Sequence, residues 1–320
     1  MLIFDPTTDP FFNLAADEFL LREVSEPVLR IWRSSPCVVV GRHQIPCVEV
    51  NVVAAFRRGV PILRRLSGGG AVYHDFGNVN FTIVAPVTKG QGIDFARMLA
   101  PIAAALNAMG VAAEYAGRGD LRLNGKKISG NSAYLWKGRV LHHGTLLYDA
   151  DLDALEALLD VCVEGITGKS VRSARSVVTN LHDSDPRHGD APGFAAAFLN
   201  KLAPLLGFDP SSAREFSPAE NLRIKEIARM TYATNEWNLG ASPDYSIERR
   251  DFDGHAMKFA VENGRVASVE IEGDDNLAAE LRGALSGVWH EPDAIENALA
   301  RVKVQYASCP PLEAFYFHFG

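Results

Sequence analysis

The sequence predicts an α+β protein with a large mixed-sheet domain over residues 1–240 and a small α+β C-terminal domain over residues 245–320. Three observations carry this. Strand-like runs alternate irregularly with helical patterns rather than in a regular βα order. Asn-Gly pairs at Asn124-Gly125 and Asn263-Gly264 mark two-residue hairpins, which a purely parallel sheet does not use. Near Trp237-Asn-Leu-Gly240 the text turns polar, with Gly240 and Pro243, before strands resume at Tyr245.

Taken in order, Asn13–Leu21 reads as a helix, with Asn13 as its N-cap and apolar residues at helical spacing. Val28–Trp32 and Cys37–Val40 are strand-sized, and the second runs into the polar turn Gly41-Arg42-His43-Gln44. Val50–Arg58 is expected to be helical, and Ala71–Tyr73 and Val79–Val84 to be strands. The alanine-rich Phe95–Met109 stops at Gly110, a natural C-cap. The hairpin over Asp120–Ser129 is followed by a strand at Val140–Tyr148 and a helix at Leu152–Leu159. Pro192–Leu206 and Ala219–Met230 have helical patterns, the second opened by Pro218. In the small domain, Tyr245–Arg250 and the hairpin Met257–Ile271 precede helices at Asn276–Leu285 and Pro292–Arg301.

The composition is that of an ordinary globular protein, 47% hydrophobic and 22% charged, and the formal charge of −7 argues against a non-specific nucleic-acid binder. No apolar run reaches the roughly 18 residues of a membrane span. The opening MLIFDPTTDPFFN has neither a basic leader nor a long apolar core, so a cytoplasmic location is expected. Cysteines at 37, 47, 162 and 309 are too scattered for a zinc motif or a disulfide framework. They fit buried thiols in a reducing compartment.

The stretch RRLSGGGAVYHDFGN at 64–78 is the first candidate site. Each interior glycine costs roughly 0.5–1 kcal/mol of backbone entropy, so a run of three needs a use. Without Cβ atoms the backbone turns tightly and its N–H groups can face anionic oxygens, with Arg64 and Arg65 as fork donors. A flexible turn beside a solvated charge pair is the plain alternative. Ser67 either caps the turn or binds. In the hairpin, Leu123 should face Lys126, Arg122 should face Lys127, and Leu121 should face Ile128. Arg122 and Lys127 then form an opposed like-charge pair, favourable only where water or an anion intervenes. Asp120 either orients a cation or caps a turn. His143 and Thr145 alternate on one strand face and can line a cleft, and His74 can serve as base, donor or packed ring. Cys162, in Leu159-Asp-Val-Cys-Val-Glu164, lacks a paired histidine for thiol catalysis. Gly168–Asn180 alternates small polar and basic residues, as an anion-sensitive loop or a solvated one would. No histidine spacing makes a metal cluster.

The combined text resembles the lipoate–protein ligase A family, within the wider biotin/lipoate ligase and octanoyltransferase family. The landmarks are Gly41-Arg42 with Gln44, Arg64 through Asp75 with Gly77-Asn78, Gly119-Asp120, Lys127-Ile-Ser-Gly130, His142-His-Gly-Thr-Leu-Leu147, Gly168–Leu181 and Trp237–Gly240. The resemblance implies a mixed-sheet catalytic domain with an accessory domain, and a reaction in two steps. Lipoate and ATP, with Mg²⁺ as the ATP counter-ion, give lipoyl-adenylate; a lysine of a lipoyl carrier then takes the acyl group. Implied carriers are the lipoyl domains of 2-oxoacid dehydrogenase complexes and the glycine cleavage H protein, with no nucleic acid and no membrane.

By the same resemblance, Lys127 would hold lipoate and the acyl-phosphate oxygens, with Asp120 beside it as a second catalytic group. Arg65, Ser67, Gly69, Gly70, Ala71, Val72, Tyr73 and Asn78 would contact the nucleotide. His74, His143 and Thr145 would shape the pocket, and the loop around Lys169 would cover the adenylate. Two departures stand out. Ser170-Val-Arg-Ser-Ala-Arg-Ser-Val177 shifts the family's second arginine, and Leu66 replaces a serine, where it is expected to pack against the dithiolane tail. The rival enzyme is a transferase that takes a thioester or preformed adenylate without ATP, and a non-catalytic nucleotide- or carrier-binding module is the alternative outside enzymes.

Overall fold

The computed structural model describes residues 1–88, 90, 92–159, 161, 165–184, 186–252 and 255–316. The chain opens with β1 (Leu2–Asp5), α1 (Pro10–Arg22), β2 (Val28–Arg33) and β3 (Cys37–Val40). The cap of α1 is Asp9, whose carboxylate accepts from Phe11 N at 2.9 Å, with Pro10 as the first helical residue. Asn13 is therefore not the cap. It sits one turn inside, fully buried, and its amide donates to Thr7 O and Arg33 O.

After β3 come two short helices, α2 (Pro46–Glu49) and α3 (Val52–Arg57), the latter capped by Asn51. Then follow β4 (Ile62–Arg64), β5 (Val72–His74), β6 (Asn78–Pro86), α4 (Phe95–Ala108), β7 (Glu114–Tyr115), β8 (Asp120–Leu123), β9 (Lys126–Trp136) and β10 (Arg139–Leu147). Asn124 at φ 51° and Gly125 at φ 79° make the β8–β9 turn with both central residues left-handed. Arg122 faces Lys127 as expected, but a register shift after Leu121 places it opposite Ser129 rather than Ile128. The bulge is a feature that period-two reading does not see.

The remaining elements are α5 (Leu152–Leu159), β11 (Ile166–Gly168), α6 (Ala191–Leu205), α7 (Pro218–Ile227), α8 (Asn235–Asn238), β12 (Tyr245–Phe252), β13 (His255–Glu262), β14 (Arg265–Ile271), α9 (Asp275–Leu285) and α10 (Pro292–Gln305). A π-helical turn over Ala228–Tyr232 extends α7.

Among the described residues the strands form three sheets. The largest has the order β1-β2-β6-β10-β9-β8-β7, with β1 parallel to β2 and its other pairs antiparallel. A three-stranded sheet, β4-β3-β5, carries the glycine run between its two outer strands. The third, β11-β12-β13-β14, combines the C-terminal strands with one contributed by residues 166–168. Helices α4 and α6 cover one face of the large sheet through Leu99, Ile102, Phe194 and Phe198. Helix α1 packs between the large and three-stranded sheets. The C-terminal strands and helices share a continuous core with α2 and α3, so Val48 and Val52 belong to the same apolar cluster as Tyr245 and Leu299. No helix among the described residues is long and apolar enough to cross a membrane.

Candidate active site

Two cavities meet beneath the glycine run. The larger, about 660 Å³, reaches Glu49, Tyr73 and α5. The smaller, about 180 Å³, runs inward past Leu14, Trp32 and Val39. Ala71, Val72, Lys127, Gly130, Thr145 and Ser173 line both.

The glycine run lies between β4 and β5, and its shape is set by Arg65. Nη2 of that residue donates to Gly68 O at 2.6 Å and Gly70 O at 2.7 Å, and Nη1 donates to Val39 O at 3.1 Å. Turning these carbonyls toward the guanidinium leaves the N–H groups of Gly68, Gly69 and Gly70 without a protein acceptor among the described residues. Gly69 adopts φ 88°, which L side chains rarely tolerate. Burial pushes the Arg65 guanidinium down to about 10, still charged at neutral pH.

Arg64 has a different task. It is fully buried, and Nη1 donates to Gly41 O and Gln44 O while Nη2 donates to Asn238 O and Ser242 Oγ. It ties the turn after β3 to the segment leading into the C-terminal lobe, and it lines neither cavity. The expectation that both arginines present donors to a ligand is corrected for Arg64. Leu66 likewise points into the core around α1 and lines neither cavity, so it does not meet a ligand tail there.

A buried polar chain supports the loop from below. Ser67 Oγ accepts from Arg65 Nε at 3.1 Å and lies 2.6 Å from His143 Nε2. His143 Nδ1 is 2.8 Å from Asp17 Oδ2, and Asp17 also holds Arg30 at 3.2 Å and Thr82 at 2.7 Å. Each member has a partner of the required type, so the network fixes side-chain positions around the loop.

Lys127 stands where the cavities join. Its Nζ is 2.8 Å from Asp120 Oδ1, across the β8–β9 hairpin. Gly130 makes room: a Cβ there would stand 3.3 Å from Lys127 Nζ. Thr145 Oγ1 accepts from Gly130 N at 3.1 Å. The backbone of Lys127 joins the segment after β11, donating to Val177 O at 2.9 Å and accepting from Thr179 N at 3.0 Å.

That segment crosses the glycine run as a strap. Ser173 Oγ accepts from Ala71 N at 2.9 Å and from Gln44 Nε2 at 3.1 Å, while Ser173 N donates to Glu49 Oε2 at 3.0 Å. Ile45 N donates to Ser170 Oγ at 3.3 Å.

Of the residues singled out from sequence, Arg65, Gly69, Gly70, Ala71, Val72, His74, Asp120, Lys127, His143 and Thr145 all line the smaller cavity, and Tyr73 lines the larger. Three are not brought to either cavity. Ser67 is fully buried behind His143, Asn78 donates to Asn80 at 2.9 Å, and Lys169 is exposed on the strap. The sequence patterns did not single out Asp17, Trp32, Glu49 or Asn80, which the structure places at the site. A signal existed for two of them. Asn13 and Asp17 interrupt an apolar helix face one turn apart, and Asn78, Asn80 and Thr82 make a polar face on β6.

Burial pushes the Cys37 and Cys47 thiols up to about 12, which leaves neither as a thiolate nucleophile. Cys162 lies outside the described residues. Among the described residues no group of His, Cys, Asp and Glu is arranged to hold a metal ion.

A profile of the lipoyl protein ligase A/B catalytic domain matches residues 9–203. Lipoate–protein ligase 1 of Staphylococcus aureus is 32% identical over 305 residues, covering 92% of this chain and 91% of its own length. A bipartite lipoate protein ligase from Thermoplasma acidophilum, solved in work that also treats its E2 lipoyl domain, matches with TM-score 0.62 and 27% identity over 74% of this chain and 94% of its own. A lipoate–protein ligase A bound with ATP matches with TM-score 0.61 and 28% identity over 74% of this chain and 97% of its own. The glycine run over a two-part cavity, with Lys127 at the junction, thus sits in a chain that belongs to the lipoate–protein ligase A family.

Proposed function

We propose that the chain is an ATP-dependent lipoate–protein ligase. The observation that carries this reading is the position of Lys127 at the junction of a larger cavity and a smaller, inner one. The larger space takes the nucleotide and the inner one takes the acyl chain, so the carboxylate and the α-phosphate meet beside one ammonium. A carboxylate oxygen of lipoate attacks the α-phosphorus of Mg·ATP, forming a C–O–P mixed anhydride as pyrophosphate leaves. The ε-amine of a carrier lysine then attacks the carbonyl carbon. The amide bond forms, AMP leaves and the amine loses a proton.

In the first step two anions must approach each other, and Lys127 lowers that repulsion while Asp120 holds its ammonium in place. The unpaired N–H groups of Gly69 and Gly70, on the wall of the inner space, supply further donors for the carboxylate and for the oxygens of the mixed anhydride. The strap excludes water, which would hydrolyse the anhydride. Lipoyl domains of 2-oxoacid dehydrogenase complexes and the glycine cleavage H protein are the proposed carriers, and the cytoplasm the proposed location. The E2 lipoyl domain treated together with the Thermoplasma ligase supports the first kind of carrier.

Purified protein incubated with lipoate, Mg·ATP and an apo lipoyl domain should release AMP and add the lipoyl mass to the carrier. No AMP and no modified carrier would reject the reading, and modification from acyl-thioester alone would favour a transferase. Lys127→Ala should stay folded and lose about 10²-fold or more of adenylation, the scale of removing one transition-state charge donor.

A further inference from the structure

The inner cavity has an unusual wall for a site that takes an acyl chain. Leu14, Trp32, Val39 and Val72 line it, but so do His74 and Asn80. Both polar side chains are deeply buried, His74 at 5% exposure and Asn80 at 1%. Among the described residues His74 Nε2 and Asn80 Nδ2 have no hydrogen-bond partner. Asn78 Nδ2 donates to Asn80 Oδ1 at 2.9 Å, and the other ends of the two amides, Asn78 Oδ1 and Asn80 Nδ2, have no partner among the described residues. Burial pushes the His74 imidazole down to about 3, so at neutral pH the ring is uncharged and carries one N–H. Trp32 offers no polar group here, since its indole N–H donates to Thr82 Oγ1 at 2.9 Å. It stands edge-to-face with His74 at 5.7 Å, giving the wall two adjacent aromatic rings.

A plain alkyl chain in this space would leave the amide and imidazole groups buried and unpaired, which disfavours it beyond any missing attraction. A ring containing divalent sulfur suits the wall better. Sulfur is a weak acceptor for N–H groups, is polarisable and packs well against aromatic edges. We infer that His74 and Asn80 are specificity-determining residues that favour an acyl chain ending in a sulfur-containing ring over a plain alkyl chain of similar length. This rests on the reading that the inner cavity holds the acyl chain of the ligase substrate.

The test is a competition. Lipoate and octanoate at equal concentration are offered with Mg·ATP and an apo lipoyl domain, and the two carrier products are separated by mass. The ratio cancels any loss of folded enzyme. Wild type should favour lipoate. Asn80→Leu and His74→Phe, which replace polar wall by apolar wall of similar size, should each lower the lipoate-to-octanoate ratio about three- to tenfold. Asn80→Ser should restore part of it. For a variant without turnover, the same ratio is read from the dissociation constants of the two acids by calorimetry. A fall in either apolar variant upholds the inference, and an unchanged ratio in both overturns it while leaving the ligase reading intact. Wild type that modifies the carrier with neither acid removes both, and that result is visible before any variant is made.

Discussion

The three glycines of the run are not equivalent, and the difference is measurable. A Cβ on Gly68 meets nothing within 4 Å, whereas one on Gly70 would stand 2.9 Å from Ser173 Oγ and 3.1 Å from Ser173 Cα. Gly69 combines φ 88° with a contact 3.1 Å from Arg65 Nη2. Gly68→Ala should therefore keep ATP-dependent turnover within about twofold, and its lower unfolded-state entropy partly offsets any loss. Gly70→Ala should push the strap off Ala71 and lower kcat/KM for ATP roughly tenfold, about 1.4 kcal/mol. Equal steady-state constants for the two variants would contradict this ordering. From sequence, the run announced a close backbone approach but not which glycine makes it, because the approaching residue is Ser173, about a hundred positions away. Lys127 and Asp120 were legible through the Asn124-Gly125 turn, which puts them on one short hairpin. Asp17 and Asn80 were written only as polar interruptions of apolar faces, a pattern easily taken for a solvated edge.

At the scale of elements, the strap shows what local chemistry can and cannot reveal. The alternation of small polar and basic residues at 168–180 suggested an anion-sensitive loop. The structure ties that loop to the turn and helix after β3: Gln44 Nε2 donates to both Val171 O and Ser173 Oγ, and Gln44 Oε1 accepts from Gly41 N at 2.8 Å. Gln44 is fully buried, so removing its amide leaves several groups to find new partners. Gln44→Ala should cost about 1–3 kcal/mol. It should also speed hydrogen exchange at Val171 and Ser173 while β6 and β10 keep wild-type protection. Unchanged exchange along 170–173 would show that the strap is held by other contacts. The long or capped elements were readable in advance, including the helix at Phe95–Ala108, the Asn-Gly hairpins and the Pro218 helix start. The three-residue β4 and β11 and the two-residue β7 were not, since so few residues show no period. Their pairing is decided by distant strands rather than by local preference.

For the whole molecule, three buried histidines set a pH limit on stability. Burial pushes His74 and His142 down to about 3 and His290 down to about 4, from an ordinary value of 6.5. They lie in different places, His74 beside the inner cavity, His142 on β10 against Phe81, and His290 in the core shared with the C-terminal lobe. His290 receives the Tyr245 hydroxyl at Nδ1, 2.6 Å away, and donates from Nε2 to Phe315 O at 3.0 Å. Each is neutral when folded and binds a proton readily when unfolded, so between the two values the unfolded chain holds more protons. Stability is then fully present above pH 6.5 and falls as the pH drops toward 4, by at most about 1.4 kcal/mol per pH unit for each histidine. The unfolding midpoint should fall by several degrees between pH 7 and pH 5. His290→Gln retains one donor and one acceptor without titrating there, so it should reduce the slope in that window. A midpoint independent of pH from 7 to 5, or a slope identical in wild type and variant, would show that the rings gain protons without unfolding the chain.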